Sequence, residues 1–186
     1  MKPFAAAVVA LTALAACSAT QTLRYPVPAL TATDKIRVSV GSLEVRDVGL
    51  PLYAGLEAIS VESPTGELLS NSDQLWADDP IRAITQGLAV ALSSLTRADV
   101  AAEPWPLSER PDARLEVRFT KALASNDGVF RMEGQYFVSS TTGQRREVAR
   151  TFAVSSPYDA EDMRTIGDAL GRATLELAEI IARDGL

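Results

Sequence analysis

Two alternating runs on either side of Asn126-Asp127-Gly128 constrain this chain more than any other feature. In Ala113–Leu123, Leu115, Val117 and Phe119 alternate with Arg114, Glu116, Arg118 and Thr120. In Val129–Ser139, Phe130, Met132, Tyr136 and Val138 alternate with Arg131, Glu133, Gln135 and Phe137. A period of two sends successive side chains to opposite faces, so both runs read as half-buried strands. Asp-Gly tolerates the positive φ of a tight hairpin, which makes the two strands antiparallel neighbours. A third strand, Glu147–Val154, follows the Thr141-Thr142-Gly143 turn, with Arg150 interrupting its apolar side. The opposite faces are densely charged, so one side of this sheet is expected to meet water.

Two helices are available to cover the other side. Ile81, Ile84, Leu88, Leu92 and Leu95 recur at 3/4 spacing behind Asp78-Asp79-Pro80, where an aspartate cap and a proline in the first turn mark a helix start. Met163, Ile166, Leu170, Ala173, Leu177, Ile180 and Ile181 form the stripe of a longer helix over Ala160–Arg183, with Glu161 and Asp162 in its first turn. Beside each stripe runs a row of small residues: Ala83, Gly87, Ala91 and Ser94 in the first, Gly167, Gly171, Thr174 and Ala178 in the second. An interior glycine costs about 1 kcal/mol relative to alanine, so these rows call for a close approach. The helices are expected side by side on one sheet face with their small flanks touching. Self-association of the chain through the Gly167–Gly171 row, giving a homo-oligomer, is the alternative.

The first half of the chain adds shorter elements. Ile36, Val38 and Val40 alternate with Arg37 and Ser39, giving a first strand over Lys35–Val45. Ala58–Glu62 and Glu67–Ser70 flank the turn tetrapeptide Ser63-Pro64-Thr65-Gly66 and form a hairpin. Trp76 is placed to plug the start of the first helix, and Val100–Pro111, with Pro104-Trp105-Pro106, reads as a crossover loop. The sum is an α/β fold, a two-layer sandwich in which two helices pack on one face of a mixed, mostly antiparallel sheet.

Val48–Leu56 fits neither period, and Gly49, Pro51 and Gly55 break it. A loop this apolar either folds as a lid over one end of the core or presents Leu50, Leu52 and Tyr53 to a partner or to lipid, as exposed apolar patches do. Those three residues are the candidate binding set.

The N-terminus carries Lys2 and then an uncharged run to Ala16, too short to cross a hydrocarbon core of ~30 Å. It reads as a secretory signal peptide over residues 1–16. Leu14-Ala15-Ala16-Cys17 resembles the lipobox of bacterial lipoproteins, which implies cleavage before Cys17, diacylglycerol on its sulfur and an acyl chain such as palmitate on its new amine. One acyl chain binds a membrane only marginally, whereas two or three hold firmly. Residues 17–33, with Pro26 and Pro28, read as a lipidated tether, and 34–186 as a single domain. Ser18 after the cysteine, where Asp would resemble an inner-membrane retention signal, favours the outer membrane facing the periplasm; the inner membrane is the alternative location.

What the chain lacks narrows its chemistry. A formal charge of −6 with no basic cluster offers nothing to a phosphate backbone, so nucleic acid is not an expected partner. With no histidine, neither Ser-His-Asp nor Cys-His machinery nor a His-containing metal site can be built. Neither GxxxxGK[ST] nor GxGxxG occurs, so no nucleotide cofactor is expected. The adjacent carboxylates Asp78-Asp79 and Glu161-Asp162 both precede periodic segments, where acidic groups stabilise a helix N-terminus. No enzymatic activity is expected.

The order of these motifs resembles the ABC-type transport auxiliary lipoproteins, the family of paraquat-inducible protein C. The likeness runs from Cys17 through Tyr25-Pro26-Val27-Pro28, Ile36-Arg37-Val38-Ser39-Val40, Leu50-Pro51-Leu52-Tyr53 and Trp76-Ala77-Asp78-Asp79-Pro80 to the long C-terminal helix. It implies a non-catalytic component of a trans-envelope lipid transport system. In such a system an inner-membrane ABC transporter supplies the work and a periplasmic protein with mammalian-cell-entry (MCE) domains carries lipid. The lipoprotein docks that carrier at the outer membrane, as a ring of several copies. An assembly or regulatory lipoprotein, such as a partner of the lipopolysaccharide translocon or an activator of peptidoglycan synthases, is the alternative of a different class.

Overall fold

Strand β6 (Ala113–Ser125) is the axis of a computed structural model that describes residues 22–143 and 145–186. One of its edges pairs along the whole length of β7 (Val129–Ser140), which pairs in turn with β8 (Val148–Pro157), all antiparallel. Its other edge is divided between two branches. Strand β2 (Ser42–Val45) lies parallel to the first residues of β6, and β3 (Ala58–Glu62) lies parallel to the last. Strand β5 (Asp99–Ala102) extends the sheet beyond β2, while β4 (Leu68–Trp76) and then β1 (Leu23–Tyr25) extend it beyond β3. The result is an open mixed sheet of eight strands, dominated by the long antiparallel β6–β7–β8 ladders. Helices α1 (Pro80–Leu95) and α2 (Ile166–Asp184) pack on one face, so the expected two-layer sandwich is the fold.

The alternation seen in the sequence sets the two faces. Ala113, Leu115, Val117 and Phe119 are buried toward the helices with Phe130, Met132, Tyr136 and Val138, and Phe119 meets Phe152 edge-on at 5.3 Å. The other face is charged: Arg114 pairs with Glu44 and Lys121 with Glu62, and the Arg118 guanidinium lies over the Phe137 ring at 5.1 Å. At Thr120 the register slips from Phe119↔Gly134 to Lys121↔Glu133, a bulge that moves the core-facing positions onto Ala122 and Ala124. A side chain on Gly134 would overlap the Arg118 carbonyl and stand 2.9 Å from Phe119 Cα, so the bulge requires glycine opposite it.

Helix α1 begins as the sequence indicates. The Asp79 carboxylate accepts the Arg82 N–H at 3.0 Å, Pro80 is the first helical residue, and Ile84, Leu88, Leu92 and Leu95 are buried. Helix α2 begins later than expected, at Ile166 rather than Ala160, because Met163–Thr165 winds as a separate 3₁₀ turn. Asp162 caps that turn by accepting the Arg164 N–H at 3.0 Å, so Glu161 and Asp162 precede α2 rather than occupying its first turn.

The small-residue rows divide between two partners. A side chain on Gly87 would stand 3.2 Å from Thr174 Cγ2, so the helices do touch along small flanks. Gly167 and Gly171 face the chain's own N-terminal segment instead. A side chain on the first would overlap the Pro26 carbonyl oxygen, and one on the second would stand 2.7 Å from that of Pro28. That row is covered from within, which overturns self-association through it.

Three further expectations are corrected. The stretch from Leu23 to Thr33 is not a free tether. Leu23–Tyr25 pairs with β4, Tyr25 is buried, and the Ala32 N–H donates to Ser94 Oγ at 2.9 Å. Pro26 ends the ladder without preventing it. The first strand is confined to Ser42–Val45: Ile36, Val38 and Val40 do face inward, but the Ile36 N–H donates to Leu95 O at the end of α1 and that of Ser39 to Leu186 O just past α2, so this run is tied to no strand. The crossover loop contains β5, which pairs parallel to β2. Trp76 lies buried at the end of β4, just before the α1 cap, where a plug was expected.

Candidate functional site

The apolar loop is an excursion in a line of chain that otherwise follows β6. Leu43 pairs with Ala113, Gly49 bridges to Arg118 and Val61 pairs with Ala124, all in the parallel sense. Gly49 is held on both sides, donating to Val117 O at 2.9 Å and accepting from Phe119 N at 2.8 Å. The Val48 N–H donates to Thr85 Oγ1 of α1 at 3.1 Å, which fixes the entrance of the loop to the helix layer. Between Gly49 and Val61 more chain is present than β6 can pair, and the surplus folds into a 3₁₀ turn over Leu52–Ala54.

The structure divides the three candidates. Leu50 is half-buried against the core. Tyr53 is half-buried and its hydroxyl accepts the Ala122 N–H at 3.4 Å, occupying a β6 edge position that no strand covers. Leu52 points outward and is 85 % exposed, the most exposed large apolar side chain among the described residues. Leu50 and Tyr53 therefore fasten the turn, and Leu52 is what the turn presents. A partner that fully covered Leu52 would gain about 1.5–3 kcal/mol from that side chain alone. Cys17 lies outside the described residues.

The resolved titration shifts run in one direction for the carboxylates. A general acid at neutral pH needs a carboxyl raised above its ordinary value. The carboxylates with resolved shifts all move down. Glu62 is lowered by hydrogen bonds from Lys121 and Ser125, Asp78 by Arg82, Asp127 by Arg131 and Asp162 by Arg164. Glu67, held by the Ser63 and Thr65 hydroxyls, falls to about 2. Tyr136 and Tyr158 are pushed up by burial and stay protonated. Among the described residues no cluster of three or more His, Cys, Asp or Glu could hold a metal ion, and no helix is long and apolar enough to cross a membrane. A shallow groove of about 600 Å³ between α1 and β5, floored by Ala89, Val90, Val100 and Pro104, is lined by no titratable side chain.

Leu68 and Leu69, exposed at the start of β4, and Leu23 on β1 were not among the sequence-based candidates. Adjacent leucines cannot both face one core, and that conflict with a period of two is the signal that was available.

Comparison with known proteins sets these features in a family. The fold is shared with an uncharacterized protein of known crystal structure, at a TM-score of 0.67 and 17 % identity, over 86 % of this chain and 97 % of the other. It is shared also with a Xanthomonas campestris protein of the DUF330 family, at 0.61 and 18 % identity, over 87 % and 91 %. At these identities the likeness is one of fold. No curated protein matches the chain. Residues 22–182, from the strand that carries Leu23 to the last turn of α2, match the ABC-type transport auxiliary lipoprotein component family, and the chain belongs to it.

Proposed function

We propose that this protein is cleaved before Cys17, lipidated there, and stationed at the outer membrane to dock a periplasmic MCE-domain carrier that an inner-membrane ABC transporter serves. Membership of an auxiliary lipoprotein family of ABC-type transport carries the reading. Such a component belongs to the cell envelope and its family is not one of enzymes. The chain agrees in what it offers: a solitary cysteine after small residues, a two-layer sandwich, and a turn that presents Leu52 while Leu50 and Tyr53 hold it in place. Transport work needs coupling between proteins in two membranes, and a folded domain whose most exposed large apolar side chain sits on a fastened turn supplies a docking point without chemistry of its own.

The test is purification of the lipidated full chain from detergent-solubilised envelopes, followed by identification of what accompanies it. An MCE-domain protein in the wild-type eluate, lost when Leu52→Asp is the bait, supports the docking role. A wild-type eluate containing lipopolysaccharide-translocon or peptidoglycan-synthase components instead, with no MCE-domain protein, overturns it.

A further inference from the structure

The exposed apolar side chains are not scattered. Of the seven large ones among the described residues, five (Leu23, Leu52, Leu56, Leu68 and Leu69) belong to the β1–β3–β4 branch and the loop leading into it. The outermost strands carry three of them. Strand β1 covers only Gln74–Trp76 of β4, which leaves Leu68–Asp73 without a neighbour on that side. Leu68 and Leu69 are consecutive, so they point to opposite faces, and their exposures of 41 % and 63 % show that neither face of this arm is roofed by a helix.

Chain order joins Cys17 to the same branch by a short segment. Strand β1 runs parallel to β4, with Leu23 opposite Gln74 and Tyr25 opposite Trp76, so the chain reaches Leu23 from the Leu68 side. Only residues 18–22 separate Leu23 from Cys17, a reach of at most about 20 Å. The side chains between the leucines and Asp73 are Ser70, Asn71 and Ser72, and there is no Lys or Arg cluster to seek an acidic protein partner. We propose that the β3–β4 arm, through Leu23, Leu68 and Leu69, rests on the bilayer that holds Cys17, its leucines in the boundary between headgroups and acyl chains. This rests on the reading that Cys17 is lipidated. The tip of the arm stays in water, because Glu67 is tied to Ser63 and Thr65 and remains ionised; the arm lies with its free β4 edge along the surface, so that side chains of both its faces reach the boundary, and does not plunge through it. The acyl chains set where the protein is, and the leucines set which way it faces.

The experiment uses the lipidated full chain with single cysteines introduced as Leu23→Cys, Leu68→Cys or Leu69→Cys, each carrying an environment-sensitive fluorophore. Leu107→Cys, exposed beyond β5 on the other branch of the sheet, is the control. A thioether at Cys17 leaves the new thiol as the one that reacts. The proteins are reconstituted into vesicles of phosphatidylethanolamine with a minority of phosphatidylglycerol. Labels at 23, 68 and 69 are expected to shift to the blue, brighten roughly twofold or more and be quenched by spin-labelled lipid, with no dependence on salt, while the label at 107 does none of these. Labels at 68 and 69 that match the one at 107, in protein whose mass shows a modified Cys17, overturn the orientation and leave the anchor standing. An unmodified Cys17 removes the anchor and this inference with it. A blue shift that appears without vesicles and grows with protein concentration assigns the arm to a second copy of the chain and also overturns it.

Discussion

The carbonyl oxygen of Pro26 occupies the space in which a side chain on Gly167 would begin. The glycines of α2 are therefore a seat for the N-terminal segment and not an interface between copies. Because backbone carbonyl and not a flexible side-chain end fills that space, relief requires the segment to move off the helix.

Gly167→Ala and Gly171→Leu are each expected to destabilise the protein by about 1–3 kcal/mol, the range for overpacking a filled site. Chemical denaturation measures it. Both variants should detach residues 23–28, seen as faster amide exchange at Tyr25, without changing the mass of the native species in solution. An undiminished midpoint would show that the seat is slack.

Gly134→Ala attacks the bulge in β6. With the Arg118 carbonyl and Phe119 Cα already against the glycine, a methyl group forces the two central strands apart, and a loss of about 2–4 kcal/mol is expected. Thr120→Ala, by contrast, removes only the exposed Thr120 hydroxyl bond to Glu133 O and should cost well under about 1 kcal/mol. Paired unfolding curves of the two variants separate strand contact from bulge hydrogen bonding.

The β3–β4 turn should titrate locally. Glu67 lies at about 2 in the folded protein against an ordinary 4.5, because the Ser63 and Thr65 hydroxyls donate to its carboxylate. A depressed folded value contributes stability that is fully present above 4.5 and is lost as pH falls toward 2. Thr65→Ala should raise the Glu67 value toward 4.5, read by NMR titration of its carboxyl carbon, and should bring fraying of the turn to higher pH. A Glu67 that titrates near 4.5 in the wild type would contradict the geometry.

The loop offers a clean separation of folding from binding. Leu52→Asp changes an exposed side chain and is expected to alter stability by no more than about 0.5 kcal/mol. Tyr53→Ala removes a half-buried ring and the acceptor for the Ala122 N–H, and should cost about 1–3 kcal/mol. If Leu52→Asp instead unfolds the domain, the side chain is part of the lid and the docking role moves elsewhere.

Much of the fold was legible because long elements carry their own burial pattern. The β6–β7 hairpin, the β3–β4 turn, the Asp79 cap and both helical stripes are written within stretches of a dozen or so residues. Short elements were not. Strands β1 and β5 have three and four residues, too few to show a period, and each exists only because a distant partner completes its ladder. Ile36–Val40 displays the opposite failure, a true alternation of inward and outward side chains whose backbone bonds go to the end of α1 and to Leu186 beyond α2. Of the candidate site, the apolar loop could be found but not resolved, since nothing local distinguishes Leu52 from Leu50.

By itself the sequence determined the two-layer α/β class, the charged outer sheet face and the absence of histidine chemistry, because composition and side-chain period act over short range. Only the tertiary structure decided that Gly167 and Gly171 seat Pro26 and Pro28, that Tyr53 fills a gap in the β6 edge, and that leucines gather on the branch that carries β1. Those outcomes depend on which backbone groups and side chains meet across many intervening residues, and no local pattern records a neighbour that arrives from the other end of the chain.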